Sequence, residues 1–151
     1  MCFITTLSRQ NLKTISLLFV AATVLIAACV TSTPSLPMAA PNEMPLEVQK
    51  APVIVQDAYR FAVANPNILS QIPCYCGCGA IGHTSNYDCY VKEAQPSGVI
   101  EFDTHALGCS ICVDITQDVM RLTREGKTLD EVQIFIDHTY AQYGPPTPLK
   151  P

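Results

Sequence analysis

Apolar positions along the chain fall into three unlike patterns. From Ile15 to Ala28 they are nearly continuous, over Ile15-Ser-Leu-Leu-Phe-Val-Ala-Ala-Thr-Val-Leu-Ile-Ala-Ala28. A helix needs about 20 such residues to cross a bilayer core. This run is shorter and has the length of a signal h-region. The second pattern has helical spacing. Ile54, Ala58, Phe61 and Ala62 predict a helix that begins at Pro52 and stops at Asn65-Pro66. Cys112, Ile115, Val119 and Leu122 predict a second over about Ser110–Glu125, with Gly126 as its C′ residue. Leu129, Val132, Ile136, Tyr140 and Tyr143 predict a third. It starts at the capping box Thr128-Leu-Asp-Glu131 and stops at Gly144-Pro145-Pro146. Only Gly126-Lys127 joins the last two, so they should fold back as a helical hairpin. The third pattern is the absence of a period. Gln71–Gly108 is rich in Gly, Cys and turn residues, with one short strand expected at Val99-Ile100-Glu101-Phe102 and loop elsewhere. So long a loop in a small domain is usually functional or held by something other than a core.

These patterns predict a mainly α, small single domain of about three helices with a long Cys/Gly-rich loop region, over residues 50–146. A signal peptide (1–28) and a flexible, disordered tether (29–49) carrying Pro34, Pro37, Pro41 and Pro45 would precede it. A short disordered tail (147–151) would follow.

Arg9 and Lys13 give the leader a positive n-region, and its apolar run ends at Ile26-Ala27-Ala28-Cys29. That order resembles a lipobox, in which the Cys29 thiol accepts the diacylglyceryl group. The chain is therefore expected to be an extracytoplasmic lipoprotein, anchored to a bacterial cell membrane by its N-terminal acyl chains. Cleavage would leave seven basic residues against thirteen acidic, a net charge of −6 instead of −4. An acidic chain without a Lys/Arg cluster does not suit nucleic acid.

Two of the eight cysteines leave the chemistry at once: Cys2 goes with the signal and Cys29 takes the lipid. The other six, Cys74, Cys76, Cys78, Cys89, Cys109 and Cys112, crowd into the aperiodic stretch and the start of the second helix. Pro73-Cys-Tyr-Cys-Gly-Cys-Gly79 places three thiols at i, i+2, i+4, and a bridge between cysteines two apart is strained. Gly77 and Gly79 permit positive φ, so the loop can curl and its sulfurs converge. Such soft donors suit Cu(I) or Zn²⁺. Cys109-Ser-Ile-Cys112 puts two sulfurs on one face at a helix N-terminus, which favours thiolate for metal ligation or disulfide exchange. Cys89, His83 and His105 are further candidate ligands, whereas His138 reads as a helix-face residue. No phosphate loop, paired-carboxylate signature or zincin motif is present.

Pro73-Cys74-Tyr75-Cys76-Gly77-Cys78 resembles the signature of the bacterial family named for its PCYCGC motif, exported and often lipid-anchored proteins of unknown function. Gly82-His83, Cys89-Tyr90, His105, Cys109-x-x-Cys112 and Gly126-Lys127 extend the likeness. It implies that the cysteine set is the functional part and does not name a reaction. Leu107-x-Cys109-x-x-Cys112, the two helices after it and Tyr143-Gly144 are also similar to the thiol oxidoreductase hairpin of the cytochrome c maturation protein CcmH. That likeness implies a redox role for Cys109 and Cys112. Gly108 stands where that family has Arg, and Cys74, Cys76, Cys78 and Cys89 have no counterpart there.

The leading expectation is a binding protein that captures, stores or delivers a soft metal ion, Cu(I) before Zn²⁺, through Cys74, Cys76, Cys78, Cys109 and Cys112. A metal-receiving or redox protein would be its partner. The alternatives are a thiol–disulfide oxidoreductase using Cys109–Cys112 and an interaction domain stapled by three disulfides.

Overall fold

The order of elements in the computed structural model is α1 (Leu46–Gln49), α2 (Val53–Ala64), α3 (Pro66–Leu69), β1 (Val91–Ala94), β2 (Ile100–Phe102), α4 (His105–Gly108), α5 (Ser110–Arg124) and α6 (Leu129–Tyr140). The structure describes residues 35–150. The expected signal peptide, Cys29 and the first part of the tether lie outside the described residues.

Local chemistry accounts for the ends of the three long helices. Asn65, with φ −132° and ψ 51°, leaves the helical region at the end of α2. Pro66 crowds the residue before it out of α geometry and then opens α3 as its first residue. α5 closes with Gly126 at φ 78°. There the Gly126 and Lys127 amides donate to the carbonyls of Thr123 and Leu122, a pattern that satisfies the last turn. At the start of α6 the Thr128 hydroxyl accepts from the Glu131 amide, and Glu131 accepts from the Thr128 amide at 2.9 Å.

α5 packs against both α2 and α6. Ala58, Phe61, Ala62, Ile115, Val119 and Ile136 are fully buried, and Val132 nearly so, as their spacing predicted. Each large apolar side chain contributes about 1.5–3 kcal/mol on burial. Two predicted inner positions are instead exposed: Ile54 (50%) and Tyr143 (56%). Ile54 lies in the first turn of α2 and lines an open cleft. Tyr143 follows the end of α6 at Tyr140, so helical spacing no longer sets its direction.

The expected strand forms, with a partner that the sequence did not announce. β1 and β2 pair antiparallel, Val91 opposite Phe102 and Ala94 opposite Ile100, with an irregularity between Val91 and Glu93. β1 turns one apolar residue inward and exposes Lys92, Glu93 and Ala94, so it has no hydrophobic run to betray it.

Both flanks of the domain are more ordered than expected. Met44 and Val48 are buried, and Ala39 exchanges hydrogen bonds with Arg60: its amide meets the Arg60 carbonyl at 3.0 Å, its carbonyl the Arg60 Nε at 2.8 Å. Residues 35–49 are thus part of the fold, because three apolar side chains, Ala39 included, are buried and the backbone of Ala39 pairs with α2. At the other end Thr147 is 4% exposed rather than part of a loose tail. Its amide donates to the Cys74 carbonyl at 2.9 Å, and its hydroxyl accepts from the Cys74 amide at 3.0 Å.

Candidate metal centre

Four pieces of chain present the cysteines and His105. The Pro73–Cys78 loop reverses at Gly77, whose φ of 84° is disfavoured for any residue with a Cβ. A 3₁₀ turn (Cys78–Ile81) follows and ends at Gly82, φ 96°. The positive φ angles therefore fall on Gly77 and Gly82, not on Gly79. Cys89 ends a second 3₁₀ turn (Tyr87–Cys89). That turn is fixed by Asp88, which accepts from the Thr84 amide and hydroxyl and the Ser85 amide. Cys109 is the N-cap of α5, and Cys112 lies in its first turn. His105 opens α4, its amide donating to the Asp103 carboxylate at 2.7 Å.

The C-terminal segment closes the back of the loop. Besides the Thr147–Cys74 pairing, Gly144 passes so close to the loop that a Cβ there would sit 2.9 Å from the Tyr75 carbonyl oxygen. The Tyr75 hydroxyl donates to Asp137 on α6.

All six sulfurs meet in one place. Cys112 Sγ lies 3.2 Å from Cys89, 3.4 Å from Cys74 and Cys109, and 3.5 Å from Cys76. Cys74 and Cys76 are 3.5 Å apart, Cys78 and Cys89 3.7 Å. A disulfide needs about 2.05 Å, so none of these is one, and all six cysteines are free thiols. Four ligands arranged tetrahedrally about Zn²⁺ at about 2.3 Å would have edges of about 3.8 Å. Sulfurs already this near can take up such a shell with small movements.

His105 joins them, with Nε2 3.4 Å from Cys76 Sγ. The donor atoms of Cys76, His105, Cys109 and Cys112 all lie within 4.8 Å of one another. So do those of three smaller groups: Cys74, Cys76 and Cys78; Cys74, Cys89 and Cys112; Cys78, Cys89 and His105. His83 stands at the margin. Its Nδ1 lies 3.5 Å from Cys89 Sγ and its Nε2 3.6 Å from the Asp103 carboxylate. His138 is exposed on α6, away from these groups.

Burial and crowding divide the protons unequally. Hydrogen bonding with Cys112 lowers the Cys74 thiol to about 7. Cys112, facing Cys74 and other thiols in a buried place, is pushed well above the ordinary range. Cys76 rises as well, through burial and the nearby Cys74 charge. Six thiolates cannot coexist here without cations, and a bound cation replaces the protons.

One set of residues was not expected to support the site from the sequence. Asn86, Tyr90 and Thr116 are fully buried beneath Cys112. Asn86 Nδ2 donates to the Cys112 carbonyl at 3.2 Å, and Asn86 Oδ1 accepts from Thr116 Oγ1 at 2.7 Å. The Tyr90 hydroxyl lies 2.7 Å from both the Cys112 carbonyl and Thr116 Oγ1. This clamp fixes the backbone of the cysteine at the centre of the cluster.

The family described as "Protein of unknown function with PCYCGC motif" matches residues 37–151. The chain belongs to the PCYCGC family. The match begins at Pro37, so it takes in the ordered segment before α2 as well as the cysteine loop and the hairpin. No curated protein and no solved structure matches the chain. For this PCYCGC protein the motif itself supplies only half of the converging thiols. Cys89, Cys109 and Cys112 supply the rest, and His105 adds an imidazole.

Proposed function

We propose that the protein is a lipid-anchored, extracytoplasmic metal-binding protein that takes up a soft metal ion, Cu(I) before Zn²⁺. Its role would be capture, storage or delivery to a receiving protein. One observation carries this reading: six unbridged thiols and the His105 imidazole converge from four pieces of chain, with neighbouring sulfurs 3.2–3.7 Å apart. So many free thiols in contact gain little as packing groups and much as ligands. Cu(I) leads because it accepts two- and three-coordinate thiolate, and thiolates dominate the donor set. The acyl chain expected on Cys29 would keep this chemistry at the membrane.

The test is elemental analysis with free-thiol counting on one anaerobic sample of the detergent-solubilised full chain. Bound Cu(I) or Zn²⁺ whose amount falls in Cys76→Ser supports the reading. A reduced protein that takes up neither ion overturns it.

A second reading has one observation in its favour. Cys109 is half-buried at the N-cap of α5, 3.4 Å from Cys112, as a dithiol for exchange would be. The pair would become a disulfide by passing two electrons and two protons to the disulfide of a partner protein, which is reduced to two thiols. A reversible couple between about −120 and −270 mV, the range of known oxidoreductases, would support it. The four other sulfurs around the pair favour metal.

A further inference from the structure

The geometry points to two metal sites fused at Cys112: an inner site of Cys74, Cys78 and Cys89, and an outer site of Cys76, Cys109 and His105, with the Cys112 thiolate shared between them. This inference rests on the metal-binding reading and specifies how many ions that site holds and how they leave.

Three observations converge on it. The first is ligand number. Six sulfurs and an imidazole nitrogen exceed the four ligands that Zn²⁺ takes, and exceed further the two or three that Cu(I) takes. An ion held by Cys76, His105, Cys109 and Cys112 would leave Cys74, Cys78 and Cys89 unused, although these three are pairwise within 4.8 Å. The second is the place of Cys112. Its sulfur is in contact with Cys74 and Cys89 of the inner set and with Cys76 and Cys109 of the outer set. A thiolate has lone pairs for two ions, and the Asn86–Tyr90–Thr116 clamp holds this one between the sets. Charge leads the same way. A single ion among six crowded thiolates, four of them buried, leaves most of their charge uncompensated, which is costly in a low-dielectric interior.

The third observation is burial, which divides the ligands along the same line. Cys74, Cys78 and Cys89 are buried, whereas Cys76, His105 and Cys109 are half-buried. A cleft of about 300 Å³ opens beside Cys109, lined also by Ile54, Leu107, Gly108 and Val113. Of the proposed ligands it reaches Cys109 alone, which belongs to the outer set. The outer ion would therefore exchange with solvent or a receiving thiol, while the buried inner ion would stay.

The experiment loads the detergent-solubilised full chain anaerobically with excess Cu(I), and in a parallel arm with Zn²⁺. Unbound ion is removed, and a competing chelator is followed over time. Two ions per chain and a two-phase release, the phases separated at least tenfold in rate, are expected for the preferred ion. Cys109→Ser should bind one ion and lose the fast phase alone. Cys78→Ser should retain one ion and lose the slow phase. Circular dichroism of each variant confirms that it is folded. One ion per chain, a single release phase, or Cys109→Ser abolishing both ions overturns the two-site arrangement and leaves the metal-binding reading standing. Uptake of neither ion overturns both.

Discussion

The α5–α6 hairpin and the Cys74–Cys89 loop sit side by side and are ordered by different physics. The hairpin is local. A capping box, a glycine turn and two apolar stripes specify it, and the contacts between its two helices join residues close in sequence. The loop is almost free of regular structure and is held from outside. Thr147 pairs with Cys74 across 73 positions, and Cys112 meets Cys74 across 38. Apolar burial and the capped helix ends keep the hairpin folded. The loop adds crowded thiols whose mutual repulsion on ionisation only protons or cations relieve. Stability and ligand chemistry are thus separable here, and substitutions can strike one without the other.

The largest blow to that separation is aimed at the hairpin. Ile115 is fully buried in α5. Ile115→Ala should cost about 2–5 kcal/mol, read as a lower midpoint in chemical denaturation. Metal content per folded molecule should not change; a changed content would show that core and cluster are one unit.

A middle-sized effect should appear where the two regions touch. Asn86 belongs to the loop but bonds to the Cys112 carbonyl and to Thr116 in α5. Asn86→Ala removes buried hydrogen bonds worth about 1–3 kcal/mol. It should also weaken metal binding in a chelator competition, although no ligand is lost. Unchanged affinity in a folded Asn86→Ala protein would mean that the clamp serves only the fold.

The smallest effect belongs to the hairpin turn. Thr128→Ala loses the N-cap of α6 and should cost about 1 kcal/mol. Thermal unfolding should register it, and metal affinity should not move.

How much of this was legible in the sequence follows the same divide. Asn65-Pro66, Gly126 and Thr128-x-x-Glu131 marked helix ends that the structure places within a residue or so. The cysteines announced themselves by crowding, and His105 by lying between the groups. What stayed hidden had no local signal. Thr147, Asn86 and Thr116 are ordinary polar residues until the fold brings them to Cys74 and Cys112. β1 carries a single inward apolar side chain. The segment before α2 looked like linker because prolines punctuate it and few of its side chains, Ala39, Met44 and Val48, are buried.

The strap from Thr147 to Cys74 sets an order in time. A chain emerging from N to C terminus exposes all six thiols well before the residue that frames the first of them. Until Thr147 arrives, the cysteines have reactivity without geometry. An interval of that kind is when a wrong pairing of thiols is least opposed by the fold.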